Sequence, residues 1–121
     1  MSVNKVILIG NVGRDPNVRY IAADRAVATF SLATSEPGYV LPNGTQVAER
    51  TDWHNIVTWD KLAKLVEQYV RKGNKLYIEG SIHTRSYEDK SKTVRNVTEI
   101  WAEKIEFCSV APANTNNNAP A

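Results

Sequence analysis

The sequence predicts an all-β protein: a small barrel of five strands with one α-helix between the third and fourth strands. Two observations lead to this fold class. Five segments of strand-like alternation are separated by clusters of turn residues. One segment, which begins at Asp60, instead has the 3.6-residue apolar period of a helix. The chain has 121 residues, which is enough for one domain with its own core.

The first three predicted strands run from Val3 to Val12, from Arg25 to Thr34 and from Thr51 to Trp59. The first is rich in β-branched residues and apolar on both alternating sets, as in a strand that is covered on both sides. Turn residues after it predict a sharp bend into the segment from Asn17 to Ile21. Pro, Gly and Asn residues between Ser35 and Glu49 predict an exposed hairpin loop.

The helix follows the third strand directly. Asp60 is predicted as its N-cap and Gly73 as the residue just past its C-terminus. Its apolar side chains recur at the spacing of one helix face, at Leu62, Leu65, Val66 and Tyr69.

Two further strands are predicted from Lys75 to Tyr87 and from Thr93 to Phe107, joined by a charged loop. The alternation slips near Ile100 and Trp101, which predicts a bulge. Five strands with a helix after the third are the element order of an OB-fold barrel. We therefore expect one OB-fold domain over residues 1–108, followed by a disordered tail over residues 109–121, which is uncharged and rich in Asn, Ala and Pro.

Composition excludes several classes of protein. Fifteen basic residues against thirteen acidic ones give a net charge of only +2, so a nucleic-acid-binding surface would need its positive charge concentrated locally. The single cysteine excludes an intrachain disulfide, and no Cys/His cluster has the spacing of zinc ligands. No leader and no apolar run of about 18 residues is apparent. We expect a cytoplasmic protein without a metal or another cofactor.

Aromatic residues on the third strand are the first candidate binding residues. Trp53 and Trp59 share one face, and six residues at about 3.3 Å each place them roughly 20 Å apart. Every nucleobase has a π-face, so tryptophans at this spacing would stack on bases without reading their sequence. Burial of both tryptophans in the core explains the same pattern equally well.

The fourth strand favours a binding surface, because one of its faces is polar and carries Tyr77, Arg85 and Tyr87. If the third and fourth strands pair, Arg85 and Tyr87 would share a groove with the two tryptophans. Further basic residues complete the predicted DNA-binding set, namely Lys5, Arg19 and, at the two ends of the helix, Lys61 and Lys72. For Lys61 or Lys72 taken singly, a solvated helix end is the better explanation.

A catalytic interpretation would use Asp52, His54 and His83 as an acid–base set or as metal ligands. No nucleophile motif, phosphate-binding loop or carboxylate cluster accompanies them, and a lone strand histidine more often has a structural role. We expect no enzymatic activity.

Several segments closely resemble bacterial-type single-stranded DNA-binding proteins. They are VNKVILIGNVGRDP at residues 3–16, TDWHNIV at residues 51–57, and YVRKG at residues 69–73 leading into LYIEG at residues 76–80. The resemblance is collinear over residues 3–107. It implies an OB-fold homotetramer that binds and protects single-stranded DNA, without strong sequence preference, during DNA replication, recombination and repair.

The resemblance also assigns roles to individual residues. Trp53 matches a stacking tryptophan, Trp59 stands where the family commonly has a stacking Phe, and Tyr87 stands where some members have a Trp. Tyr39 falls near another family tryptophan, in the loop after the second strand. His54 and Tyr77 match positions at the subunit interface.

One departure from the family concerns protein partners. Family members usually end in an acidic tip that recruits replication and repair proteins, whereas this sequence ends NNNAPA. Recruitment of such partners by a tip is therefore left open.

A second interpretation, a primosome-type OB protein that binds partner proteins first, predicts a dimer with few stacking residues.

Overall fold

The computed structural model describes residues 1–108, and the predicted tail over residues 109–121 lies outside these described residues. The elements in chain order are β1 (Val6–Val12), β2 (Asn17–Ala22), β3 (Arg25–Glu36), β4 (Tyr39–Val40), β5 (Gln46–Val47), β6 (Arg50–Trp59), α1 (Asp60–Tyr69), β7 (Lys75–Glu88) and β8 (Val94–Phe107).

Five strands close into a ring. The sheet order is β1-β7-β8-β6-β3, and β3 pairs back onto β1 at Val12 and Leu32. The pairs are antiparallel except β6 with β8, which run parallel through Ile56–Ile100 and Val57–Trp101. The prediction of a five-stranded OB-fold barrel with one helix between its third and fourth strands is confirmed. β2, predicted only as a bent segment, is a sixth strand on the outer edge of β3.

The core fills the ring because each barrel strand turns its apolar set inward. Ile56 and Leu32 are fully buried from neighbouring strands, and α1 closes the barrel with Ala63 and Val66. Thr58, the one inward-facing hydroxyl of β6, donates to the Ala28 carbonyl oxygen at 2.9 Å, so its polarity is satisfied. The core comprises Val12, Ala26, Ala28, Phe30, Leu32, Ile56, Ala63, Val66, Val70, Leu76, Ile78, Ile100 and Ala102.

Both predicted ends of the helix are wrong. Trp59 is the N-cap, and the Asp60 carboxylate instead accepts from the Arg25 guanidinium at 2.9 Å, so this side chain does not cap the helix. α1 ends at Tyr69, because Val70 is extended and its side chain is drawn into the core. Gly73, with φ of +91°, is the third residue of a β-turn that the Asn74 N–H closes onto the Arg71 carbonyl oxygen at 3.1 Å.

Among residues 1–108, no helix has the length and apolarity needed to cross a membrane.

The bulge lies close to its predicted position but not at it. The β7–β8 register shifts between Glu79, opposite Lys104, and Gly80, opposite Ala102, which leaves Glu103 as the extra residue. The backbones approach closely there, and a Cβ atom on Gly80 would collide with the Trp101 carbonyl group. Glycine at position 80 therefore sets where the ladder shifts.

Two other boundaries differ from the prediction. β1 begins at Val6 rather than Val3, although Asn4 continues the pairing through its side chain, which bonds the backbone N–H and carbonyl of Ile82 at 2.9 and 2.8 Å. The predicted loop between the second and third strands contains the short β4–β5 hairpin, which forms a separate sheet.

The barrel closes where β1 and β3 approach each other at Gly10. A Cβ atom on Gly10 would collide with the Ala33 carbonyl oxygen where β1 meets β3, so Gly10→Ala must force the two backbones apart. We expect it to lower the free energy of unfolding by about 1–3 kcal/mol in urea titrations. Gly13→Ala is the matched control, since its Cβ would meet only the ring of Trp53, which is 60% exposed and free to move. Equal stability of the two variants would contradict this account of closure.

Candidate nucleic-acid interface

A groove of about 640 Å³ crosses the strands and gathers three arginines. Arg14 comes from the turn after β1, Arg19 from β2 and Arg85 from β7, and Asn55 of β6 lies in the groove wall. Arg14 and Arg19 are close in sequence, whereas Arg85 is 66 positions beyond Arg19 and reaches the same groove through the fold. Asp15 and Glu99 also line the groove, so three arginines face two carboxylates and the lining keeps an excess of one positive charge.

A single carboxylate orients the arginine of β7. Glu99 of β8 is almost buried, and its Oε2 accepts from Arg85 Nε at 3.2 Å and from Nη2 at 3.1 Å. Arg85 remains 58% exposed and lies 5.9 Å from the centre of the Tyr87 ring. The guanidinium is therefore held in place while still open to solvent.

Three aromatic rings from three neighbouring strands form a row that we call the ring row: Trp59 of β6, Trp101 of β8 and His83 of β7. Trp59 and Trp101 meet edge to face with 5.7 Å between centroids. His83 stacks on Trp101 at 3.9 Å with 16° between the planes. Trp101 Nε1 donates to Glu99 Oε1 at 3.3 Å, so the carboxylate that orients Arg85 also fixes this indole.

Trp53 lies on the surface rather than in the core. Its side chain is 60% exposed and packs against Gly13, where any Cβ atom would collide with the indole. Trp59 is half-buried, and its Nε1 is buried with no hydrogen-bond partner among the described residues. The strand pattern explains both tryptophans equally well as core or as surface residues. In the structure they differ, since Trp53 is exposed and Trp59 is half-buried.

The third and fourth predicted strands do not pair, because β8 lies between β6 and β7. Trp101 stands opposite Val57 on one side and Ser81 on the other. The helix after β6 carries the chain across the barrel end before β7 begins, so strands adjacent in sequence are not adjacent in the sheet. An indole from β8 therefore occupies the space expected between Trp59 and the residues of β7.

Of the predicted DNA-binding residues, Arg19 and Arg85 line the groove, whereas Trp53, Trp59, Tyr87 and the remaining members lie outside its lining. Tyr39 is 59% exposed on the separate β4–β5 hairpin. Lys61 is exposed in the first turn of α1. Lys72 is exposed in the turn after it, where its N–H donates to the Asp15 carboxylate at 2.8 Å. Lys5 pairs with Glu79 at 3.1 Å on the outer face of β1 and β7.

The two predicted interface residues sit in different surroundings. His54 is half-buried, and its Nε2 lies 2.8 Å from the Thr34 hydroxyl. Tyr77 donates to Glu79, and this bond raises the pKa of the phenol and lowers that of the carboxyl. Beside Tyr77 on β1, Ile7 and Ile9 are 57% and 51% exposed.

The residues weighed for catalysis do not assemble. Asp52 pairs with Arg50 at 3.3 Å, His54 bonds Thr34 on β3, and His83 stacks on Trp101. Over residues 1–108 no three His, Cys, Asp or Glu side chains group in a way that could hold a metal ion.

Sequence reasoning missed four participants in this region: Arg14, Asn55, Glu99 and Trp101. Asn55 had a signal, since it lies between Trp53 and Trp59 on the same strand face. Trp101 had one as well, as a large aromatic residue in a strand. Arg14 lies in a turn and Glu99 is a nearly buried carboxylate, so only tertiary contacts identify them.

Comparison with known proteins gives a consistent picture. The model of the single-strand binding protein family matches residues 3–108. A protein of Bacteroides thetaiotaomicron named single-stranded DNA-binding protein is 58% identical over 120 residues, covering 99% of this chain and 74% of the relative. A protein of Neisseria meningitidis serogroup A with the same name is 48% identical over 107 residues, covering 88% of this chain but only 60% of the relative.

Among solved structures, the fold is similar to that of a Plasmodium falciparum SSB in complex with ssDNA. The TM-score is 0.80 at 36% sequence identity, and the match covers 90% of this chain and 97% of the other. The likeness therefore extends over the whole barrel.

Asp89 organises the turn of the β7–β8 hairpin that carries Arg85 and Tyr87. Its carboxylate accepts from the Arg95 guanidinium at 2.9 Å, from the Thr93 N–H at 3.0 Å and from the Ser91 N–H and hydroxyl at 2.9 and 2.8 Å. These donors, Arg95 foremost, lower the pKa of Asp89 to about 2.

We expect this turn to loosen in acid. Because the pKa is lower in the folded turn than in an open one, the stabilisation is complete above pH 3.8 and is lost as the pH falls through about 2. NMR titration should show the Ser91 and Thr93 amide shifts following the Asp89 carboxyl, with a midpoint at about pH 2. Asp89→Asn should remove that titration, whereas amide shifts that stay constant down to pH 2 would contradict the assignment.

Proposed function

The chain belongs to the single-strand binding protein family, and on this premise we propose that it binds and protects single-stranded DNA without strong sequence preference during DNA replication, recombination and repair. The observation that carries the proposal is the groove, where Arg14, Arg19 and Arg85 line one cavity and Val27, the strand partner of Trp59, lines it too. Guanidinium groups attract the phosphates of a single strand and the rings hold its bases.

Sequence tolerance follows from the chemistry of the site. Stacking on an indole uses the π-face that every base has, and phosphate contacts carry no base information. Trp53 and Tyr87, exposed by 60% and 46%, offer further rings, since Trp53 packs against Gly13 next to Arg14 and Tyr87 lies near Arg85. Lys5, Lys61, Lys72 and Tyr39 are peripheral members of the predicted contact set, which a strand longer than the groove would reach.

The mode of action is binding rather than catalysis. Asp52, His54 and His83 have separate hydrogen-bonding and stacking partners, which supports structural roles for them. The protein acts in the cytoplasm, where its DNA substrate is found, and needs no cofactor for stacking or phosphate attraction.

Assembly into a homotetramer is the second part of the proposal. Ile7 and Ile9 present exposed apolar side chains next to Tyr77, on the outer face of β1 and β7. An exposed strip of this kind on a sheet favours association with another copy. His54 and Tyr77 are the residues proposed for the subunit contacts. Replication and repair proteins are proposed as further partners, which family members recruit through an acidic tip that residues 1–121 do not include.

Binding is tested by titrating tryptophan fluorescence with poly(dT). We expect strong quenching, and an affinity for poly(dT) whose logarithm falls with the logarithm of the salt concentration by a slope of about −0.7 per phosphate contacted.

Trp59→Ala should weaken binding by about 1–3 kcal/mol whatever the base composition. Tyr69→Ala removes a ring that is 62% exposed on α1 and serves as the control with unchanged affinity. An unquenched signal would refute the function, and an unfolded Trp59→Ala would assign that ring to the core.

Assembly is tested by light scattering. His54→Tyr places a larger ring where the imidazole meets Thr34, and we expect it to shift a tetramer towards smaller species at micromolar protein. His83→Tyr makes the same exchange at the other histidine of the chain and should leave the assembly unchanged. A dimer in the unaltered protein would instead favour the primosome-type alternative.

A further inference from the structure

The ring row contains one indole to which the proposed contacts give no task. Trp59 and Trp53 are proposed to hold bases, whereas Trp101 lies between β6 and β7 with one face covered by the His83 imidazole. The spacing of 3.9 Å and the angle of 16° are those of two stacked aromatic rings. A stacked nucleobase would occupy the same place against that indole.

We propose that Trp101 is a further base-binding platform, which the His83 ring covers until a base of single-stranded DNA replaces it. The inference rests on the proposed function, since it names an additional nucleobase site beside the same groove. It makes His83 a displaceable cover of that site in the free protein.

The attachment of His83 is what makes the exchange feasible. Its imidazole has one hydrogen bond among the described residues, from Nε2 to the hydroxyl of Ser81 at 2.9 Å, two positions away on the same strand. The side chain is half-buried and stands where β7 has left β1 and pairs only with β8. Rotation of the ring therefore breaks one local bond and leaves the barrel pairing unchanged.

The exchange is favoured by the sizes of the rings. An imidazole covers less of an indole face than a pyrimidine or a purine does, so a base that replaces it gains contact area. After the exchange a base covers the indole face that the imidazole covered before. The exchange therefore leaves no additional part of that face exposed to water. Base–aromatic stacking accounts for roughly 5- to 150-fold in affinity per base.

Trp101 is also oriented by the groove itself. Glu99 accepts from Trp101 Nε1 at 3.3 Å and from the Arg85 guanidinium at 3.1–3.2 Å. Arg85 lines the groove. A phosphate drawn to this guanidinium would therefore bring its neighbouring base close to the ring row.

The alternative is that His83 and Trp101 form a permanent pair that only supports Trp59 from the side. In that case the stack persists in the DNA complex, and the Trp101 environment does not change on binding. The two alternatives differ in whether DNA touches the indole of residue 101.

The test uses a chain in which Trp101 is the remaining indole. Trp53→Phe combined with Trp59→Phe leaves one of the three tryptophans and keeps aromatic rings at both other positions. Binding is followed in parallel by the anisotropy of a labelled oligo(dT). We expect Trp101 emission to be quenched over the same DNA concentrations at which the anisotropy rises.

Variants of the pair give the second measurement. His83→Ala removes the cover and should tighten oligo(dT) binding about twofold to tenfold, whereas Trp101→Leu should weaken it at least fivefold. Tyr69→Leu, on α1, is the matched control with unchanged affinity. Constant Trp101 emission during binding, or no gain from His83→Ala, would overturn the inference.

Photo-crosslinking keeps the test independent of any variant. The unaltered chain is irradiated with an oligonucleotide that contains 5-iododeoxyuridine, and the crosslinked peptides are identified by mass spectrometry. Crosslinks at Trp101 support the platform, and crosslinks at Trp53 or Trp59 without Trp101 refute it. Failure of the unaltered chain to bind labelled oligo(dT) at all would refute the proposed function instead, so the two failures are distinguishable.

Discussion

The parallel pairing of β6 with β8 is the contact on which the rest of the molecule depends. Two residue pairs, Ile56–Ile100 and Val57–Trp101, join the first half of the chain to the last strand. The inward members, Ile56 and Ile100, are buried in the core, while the outward members set Val57 beside Trp101. A parallel pair requires a long crossover, which α1 and β7 supply. Closure of the barrel thus needs this junction together with the β1–β3 pairing, and the junction also places Val57 and Glu99 in the outer groove.

The element order was predictable because it is recorded locally. Alternation, turn clusters and the change of period after Trp59 are properties of short windows of sequence. The helix ends were not predictable, since Asp60 has a competing partner in Arg25, 35 positions away, and Val70 leaves the helix to fill the core. The strand order was missed for the same reason. Nothing near β6 or β7 in sequence reports that β8 separates them.

The site was predictable in its residue types more than in its geometry. Trp53, Trp59, Arg85 and Tyr87 were singled out by face and chemistry, and the family resemblance added roles to three of them. The convergence of Arg14 and Arg19 with Arg85 depends on barrel closure, which brings β2 and β7 to one groove. A buried carboxylate such as Glu99 is unfavourable unless it has hydrogen-bond donors, and Arg85 and Trp101 supply them. Its value lies in orienting an arginine and an indole at once.

The long β7–β8 hairpin has a mechanical consequence. β7 pairs with β1 only as far as Gly80 and β8 pairs with β6 only at Ile100 and Trp101, and side chains extend these contacts to Ile82 and Thr98. Beyond these points the two strands form a ribbon that pairs with no third strand among residues 1–108. A two-stranded ribbon twists and bends more readily than a closed ring. Tyr87 therefore lies on the part of the ribbon that can bend, whereas Glu99 holds Arg85 and the closed barrel carries Trp53 and Trp59. A single strand bound across both parts would be fixed at the barrel and could bend with the ribbon.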